Sequence, residues 1–407
     1  MRKIKTNLIT PIDSAKTTYL NDVVIAIEAG IIVSIEPFDA SIHNEYEDKT
    51  AFACLPGLID MHVHLSQFDI RGQYRPALLP WLNDVVFPAE NKSTNPEYAA
   101  SIAERFFSAL FKAGTTTAII YTAPSYTACQ KAFEQAEIAG IRARIGMTLM
   151  DMNSPDFLLQ TPEYAFENSM TLYDAWHQKN SLLDYIFTPR FAPTCSPELM
   201  TRIGQFARSQ SAWIQSHLSE NADEIKWVKD IFGLDSYTEV YEKFGILSPH
   251  TIMAHCIHLS DRELNILSDT GTKIAHCPDS NFYLKSGEFP LANIIDHHLP
   301  FGLGSDVGAG TTLSMLYHAK MYNYRQTEIS VSPSNALYHI TLGSAKAIGM
   351  ESTIGSLEVG KEADMIFIPT LGSSHLPELL SSLIFYGNEF PLAETVIQGH
   401  TVYLDHS

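Results

Sequence analysis

The chain has 407 residues, 45% hydrophobic and 18% charged, with a formal charge of −19 at pH 7. That length buries a large core and accommodates one big domain plus a smaller one. The acidic balance excludes a nucleic-acid backbone or an anionic lipid surface as partner, since both need a basic face.

The chain opens MRKIKTNLITPIDS, with no apolar segment behind its basic residues, so no signal peptide is expected. No run is long and apolar enough to span a bilayer, so no membrane partner is expected either. DVVIAIEAGIIVSIEPF predicts two strands around an Ala-Gly turn. ADMIFIP and AETVIQGHTVYLDH supply strands at the other end. Neither end holds enough sequence for its own core. They are therefore paired into one small, sandwich-like β domain, 1–53 together with 358–407.

Between them, residues 54–357 alternate strand and helix signals. Strands are expected near LPGLIDMHVH, TTTAIIY, IRARIGMTLMD, YIFTPR, AWIQSH, TIMAH, KIAH and FGLGSD. A helix follows Asn95, with Pro96 at its first position and Gly114 beyond its end. Eight such units predict an α/β fold of the (β/α)8 TIM-like barrel type, with a doubly wound sheet as the alternative. Active sites of such barrels lie at the C-terminal ends of the strands. Here those ends carry His62 and His64, Tyr121, Asp151, Arg190, His217, His255, His276 and Asp306. Residues two apart on a strand point the same way, so His62 and His64 converge on one point.

Three imidazoles and a carboxylate make a site for a borderline divalent ion, with Zn²⁺ the leading candidate. His62, His64, His217 and Asp306 are the expected ligands, and an open position would hold a water whose pKa the metal lowers to about 7. The fourth strand ends in Arg190 rather than a lysine that could bridge two ions, so one metal per chain is expected. Glu220, three residues after His217 in SHLSEN, can carry protons onto a ring and a leaving group. Its alternative role is to stabilise the start of the helix NADEIKWVKDIF. His255 is either a further ligand or a donor that orients the water. His276 is either part of the site or a satisfied barrel histidine. Cys54, Cys129, Cys195, Cys256 and Cys277 are scattered, odd in number and without a C-x-x-C, which predicts buried thiols and a cytoplasmic location.

With these residues in place, the chain resembles the amidohydrolase superfamily and, within it, the guanine deaminases. The matching stretches are PGLIDMHVHLSQ, LPWLNDVVFPAE, GTTTA, TPRFAPTCSPE, SHLSEN, MAHCIHLS, AHCPDSN, GLGSDVGAG and GSLEVGKEAD. They run from roughly residue 20 to the C-terminus. The resemblance implies zinc on His62, His64, His217 and Asp306, with Glu220 and Asp306 moving protons. It also implies that Gln67, Arg190 and Phe191 hold a purine beside His64 and His217, and that the protein is a homodimer. Arg presents a fixed fork that suits guanine O6 and N7, and a Gln amide both donates and accepts. Met61 departs from the small residue usual before the first ligand, and should point away from the barrel mouth. The activity implied is conversion of guanine to xanthine and ammonia. Its rivals are an aminohydrolase for another aminated ring, such as an oxidised guanine or an aminotriazine, and an inactive barrel scaffold.

Overall fold

The computed structural model describes residues 1–370, 373, 375–386, 389 and 391–406. Positions 371, 372, 374, 387, 388, 390 and 407 of the C-terminal segment assigned to the small domain lie outside the described residues. The strands in chain order are β1 (Arg2–Pro11), β2 (Thr17–Glu28), β3 (Ile31–Pro37), β4 (Glu47–Pro56), β5 (Leu58–His64), β6 (Thr115–Tyr121), β7 (Arg142–Gly146), β8 (Thr148–Leu149), β9 (Leu183–Pro189), β10 (Trp213–Leu218), β11 (Thr251–His255), β12 (Lys273–His276), β13 (Phe301–Leu303), β14 (Met365–Pro369), β15 (Glu394–Ile397) and β16 (His400–Leu404). They form two sheets. By compactness the chain falls into two units, 1–60 with 108–117 and 313–407, and 61–107 with 118–312.

The sheet from the termini has seven strands in the order β16-β15-β14-β4-β1-β2-β3. Its β2–β3 hairpin turns at Ala29 and Gly30, both at positive φ (49° and 84°), as a tight right-twisting turn requires. Strand β1 escapes the sequence reading because its apolar positions are interleaved with Lys3 and Lys5. Even so, Ile4, Thr6 and Leu8 face inward at period two.

The second sheet runs β13-β12-β11-β10-β9-β7-β6-β5, with the short β8 paired to β9. Its neighbours from β7 to β13 are parallel. The ends meet: Asp306 N donates to His62 O at 2.8 Å, and His64 N donates to Val307 O at 2.8 Å. This is a TIM-like barrel, nearly closed, with the eight strand positions expected from sequence. Strands β5, β6 and β11 are buried at every residue. At Gly146 a Cβ would lie 1.9 Å from Thr188 Oγ1 and 2.2 Å from Ile186 O, so only glycine lets the strands approach there. The helix after Asn95 spans Pro96–Lys112, and Gly114 beyond it has φ +86°. All five cysteines are buried thiols. Among the described residues no helix is long and apolar enough to cross a membrane.

Candidate active site

Strand β5 alternates, so Met61 and Val63 point to one side and His62 and His64 to the other. His217 comes from β10, and Asp306 from the turn after β13. The four meet in one cluster, in which His62, His64 and Asp306 are buried and His217 half-buried. His64 Nε2 lies 3.2 Å from His62 Nε2, 3.3 Å from His217 Nε2 and 3.2 Å from Asp306 Oδ1, while His62 Nε2 is 3.1 Å from the same oxygen.

A nitrogen carrying at most one proton cannot make three such contacts as hydrogen bonds. His217 Nδ1 donates to Arg190 O at 2.6 Å, which leaves its Nε2 as a lone pair turned on the cluster. Burial lowers His62 to about 4, against the pull of Asp306, and lowers His64 and His217 as well. Burial alone would raise Asp306, yet its imidazole neighbours hold it well below the ordinary carboxylate range. Neutral imidazoles and an ionised carboxylate are the donor set a divalent cation takes. A tetrahedral shell with zinc-length bonds has edges of about 3.3 Å, close to the separations found. The residues therefore fit the metal.

Glu220 is buried beside this cluster. Its Oε1 accepts from Ser286 Oγ at 2.9 Å, and its Oε2 lies 3.5 Å from His255 Nε2. The helix-start role is filled by another residue. The helix Ala222–Phe232 is capped by Asn221, and Glu224 closes the capping box, its carboxylate accepting from the backbone N–H of Glu220 and Asn221. Burial raises the Glu220 carboxyl above its ordinary value. His255 Nδ1 contacts Asn281 Oδ1 at 2.9 Å, which turns Nε2 toward Glu220 and Asp306 Oδ2, the latter at 3.9 Å. His255 (φ 71°) and Asp306 (φ 49°) both sit in the left-handed backbone region. Such residues cost about 1–3 kcal/mol each and cluster where side chains must be aimed.

A pocket opens onto these groups. His64, Gln67, Arg190, Phe191, His217, Glu220, His255 and Asp306 all line it, so those predicted site residues share one cavity. Leu78, Trp81, Leu82 and Leu284 add apolar walls that composition alone does not reveal. The ring of Phe191 sits edge-on to Trp227, with centroids 6.0 Å apart. Asp151 and His276 line none of it. Asp151 accepts from Ser196 N at 2.7 Å at the start of the helix Pro197–Gln210, and His276 stacks on Phe289 with centroids 4.0 Å apart.

Sequence reasoning missed Glu90. It is fully buried and accepts from Arg190 Nη1 at 2.8 Å and from Gln67 Nε2 at 3.0 Å. The available signal was an acid just after the apolar stretch VVFPA in the helical run LLPWLNDVVFPAE. That run passes from α-helix (Leu78–Trp81) through a π-turn (Leu82–Val86) to α-helix again (Phe87–Lys92). Pro88 gives the reason. In a continuous α-helix its ring would clash with the carbonyl of Asp84, and the π-turn relieves this.

The amidohydrolase family model matches residues 53–402. Guanine deaminase from Escherichia coli (strain K12) is 37% identical over 86% of this chain and 82% of its own length. The solved E. coli guanine deaminase superposes with a TM-score of 0.96 at 31% identity, covering 100% of both chains. Guanine deaminase from C. acetobutylicum, solved with guanine bound in its active site, gives 0.94 at 31% identity over 99% of this chain and 100% of that one. A match that spans nearly the whole chain, around a cavity that gathers the residues the motifs pointed to, leads to one conclusion: the chain belongs to the amidohydrolase family and, within it, to the guanine deaminases.

Proposed function

We propose that the chain hydrolyses guanine to xanthine and ammonia, using one Zn²⁺ held by His62, His64, His217 and Asp306. The observation that carries this reading is that Arg190 and Gln67 line the same small cavity as the imidazole–carboxylate cluster. Bound there, the ion supplies Lewis acidity, which lowers the pKa of a water to about 7.

The chain's own residues do the rest. Phe191 and the apolar walls hold the flat ring and exclude water. Arg190 donates to the lactam edge, and Gln67 offers both a donor and an acceptor. As a C2–O bond forms, Glu220 moves one water proton to the adjacent ring nitrogen. As the C2–N bond breaks, Asp306 passes the second water proton to the leaving amine. The products are then neutral xanthine and ammonia. His255, aimed by Asn281, orients the attacking water between Glu220 and Asp306.

The resemblance adds a cytoplasmic homodimer, and five reduced thiols accord with a reducing compartment. The test is to count metal per chain and assay ammonia release from guanine, other purines and aminotriazines, with His217→Ala as a control. The reading requires guanine to be the preferred substrate and the folded His217→Ala protein to lose its metal. Full metal occupancy in that variant overturns the ligand set, and preference for a triazine overturns the substrate.

A further inference from the structure

Arg190 reaches the pocket, yet its guanidinium is not free to answer the substrate alone. Its Nη1 is bonded to Glu90 Oε2 at 2.8 Å, and the group lies over the Phe87 ring, 5.2 Å from its centre. The other Glu90 oxygen takes Gln67 Nε2 at 3.0 Å, and Gln67 Oε1 in turn accepts from Gly308 N at 3.3 Å. Glu90 itself is wholly buried and does not line the cavity. One carboxylate thus joins the two polar groups offered to the purine, which lie far apart in sequence.

Two consequences follow. Gln67 has its amide orientation fixed, so its second N–H and its remaining carbonyl lone pair face a set direction. Arg190, always charged, is neutralised before a ligand arrives. A neutralised guanidinium still donates to a neutral lactam oxygen. It gives up most of its attraction for an anion.

We infer that Glu90 is a positioning and specificity residue: it holds Arg190 and Gln67 in register and sets the pocket to take a neutral purine over an anionic one. The inference rests on the reading of Arg190 and Gln67 as purine contacts. It bears directly on turnover, because xanthine loses a ring proton more readily than guanine, and a charge-balanced pocket favours its departure.

The test compares wild type, Glu90→Gln and Glu90→Asp as full chains loaded with zinc, at a mildly alkaline pH where guanine is neutral and xanthine largely the monoanion. Guanine kcat and KM are measured, together with the dissociation constant of xanthine by calorimetry. Removing the charge in Glu90→Gln should raise guanine KM by about ten-fold or more, lower kcat less, and raise the ratio of guanine KM to the xanthine dissociation constant by at least about ten-fold. Glu90→Asp keeps the charge on a shorter reach, so KM should rise while the ratio stays at the wild-type value. An unchanged ratio in Glu90→Gln, with both constants moving together, makes Glu90 a structural ion pair and overturns the specificity role. Should Glu90→Gln not fold, Glu90→Asp decides, and a wild-type KM in that protein overturns the positioning role. Failure of the wild-type enzyme to act on guanine strikes the functional reading, and is separate from either result.

Discussion

Glu220 shows how a single residue can look ordinary in sequence. A carboxylate just before a helix stabilises it by a few tenths of a kcal/mol, up to about 1. The structure gives that task to Asn221 and Glu224 and leaves Glu220 turned toward Ser286 and His255. Glu220→Gln should therefore leave the melting temperature and metal content nearly unchanged, hold guanine, and lower kcat by roughly 10²–10⁴. Steady-state kinetics with a metal assay checks this, and turnover within a few-fold of wild type would remove the proton shuttle. His62 and His64 were legible because residues two apart on a strand point the same way, and His217 because it too falls at a barrel strand's C-terminal end. Glu90 and Asn281 were not, because a buried polar residue that supports another side chain leaves no periodic trace.

At the scale of elements, strand ends carried most of the information. Their polar residues fell where a barrel mouth requires them, although Asp151 proved to be tied to a helix start and His276 to an aromatic stack. The turn of the π-helix was invisible, since Pro88 marks a disturbance without saying which way the chain relieves it. The closure of the barrel offers a sharper test. At Gly304, beside β13, a Cβ would lie 2.7 Å from His62 Cβ and 3.0 Å from His62 N. Gly304→Ala must push β5 outward, and overpacking of this kind costs about 1–3 kcal/mol. The strand it displaces carries two of the proposed ligands. The variant should thus lose metal affinity and activity well beyond what its lowered melting temperature explains. Full metal content at wild-type affinity would show that β5 yields without moving His62.

Across the whole molecule, chain ends far apart in sequence share one sheet, and an ionic cluster joins them. Glu394 is buried and bonded to Lys49, to Thr401 and to Arg2, the last at 2.9 Å. Burial alone would raise its carboxyl, but the hydrogen bonds from Lys49, Thr401 and Arg2 hold it below the ordinary range. Its folded value is lower than its unfolded one. The cluster's contribution is therefore complete above the usual glutamate value of about 4.3, and drains away as pH falls through the lower folded value. Glu394→Gln should destabilise at neutral pH by on the order of 2 kcal/mol, as lost charged hydrogen bonds do. It should also flatten the acid limb of melting temperature against pH. An acid limb as steep as wild type would place the acid-sensitive group elsewhere. Apolar patterning marked β2, β3 and the strands near the C-terminus, but neither β1 nor this cluster, which depends on sheet order that no single segment encodes.

The burial of every thiol makes the protein its own recorder of opening. Burial raises the Cys54, Cys129, Cys195 and Cys256 thiols, so none presents a thiolate to an alkylating reagent while its surroundings stay closed. Cys54 belongs to one compact unit, and Cys129, Cys195, Cys256 and Cys277 belong to the other. Labelling each position over time, read by peptide mass spectrometry, then clocks the two units separately. A shared rate would mean that the chain opens as one cooperative body. Faster modification of Cys54 would date the fraying of the terminal sheet ahead of the barrel, and with it the order in which this enzyme comes apart.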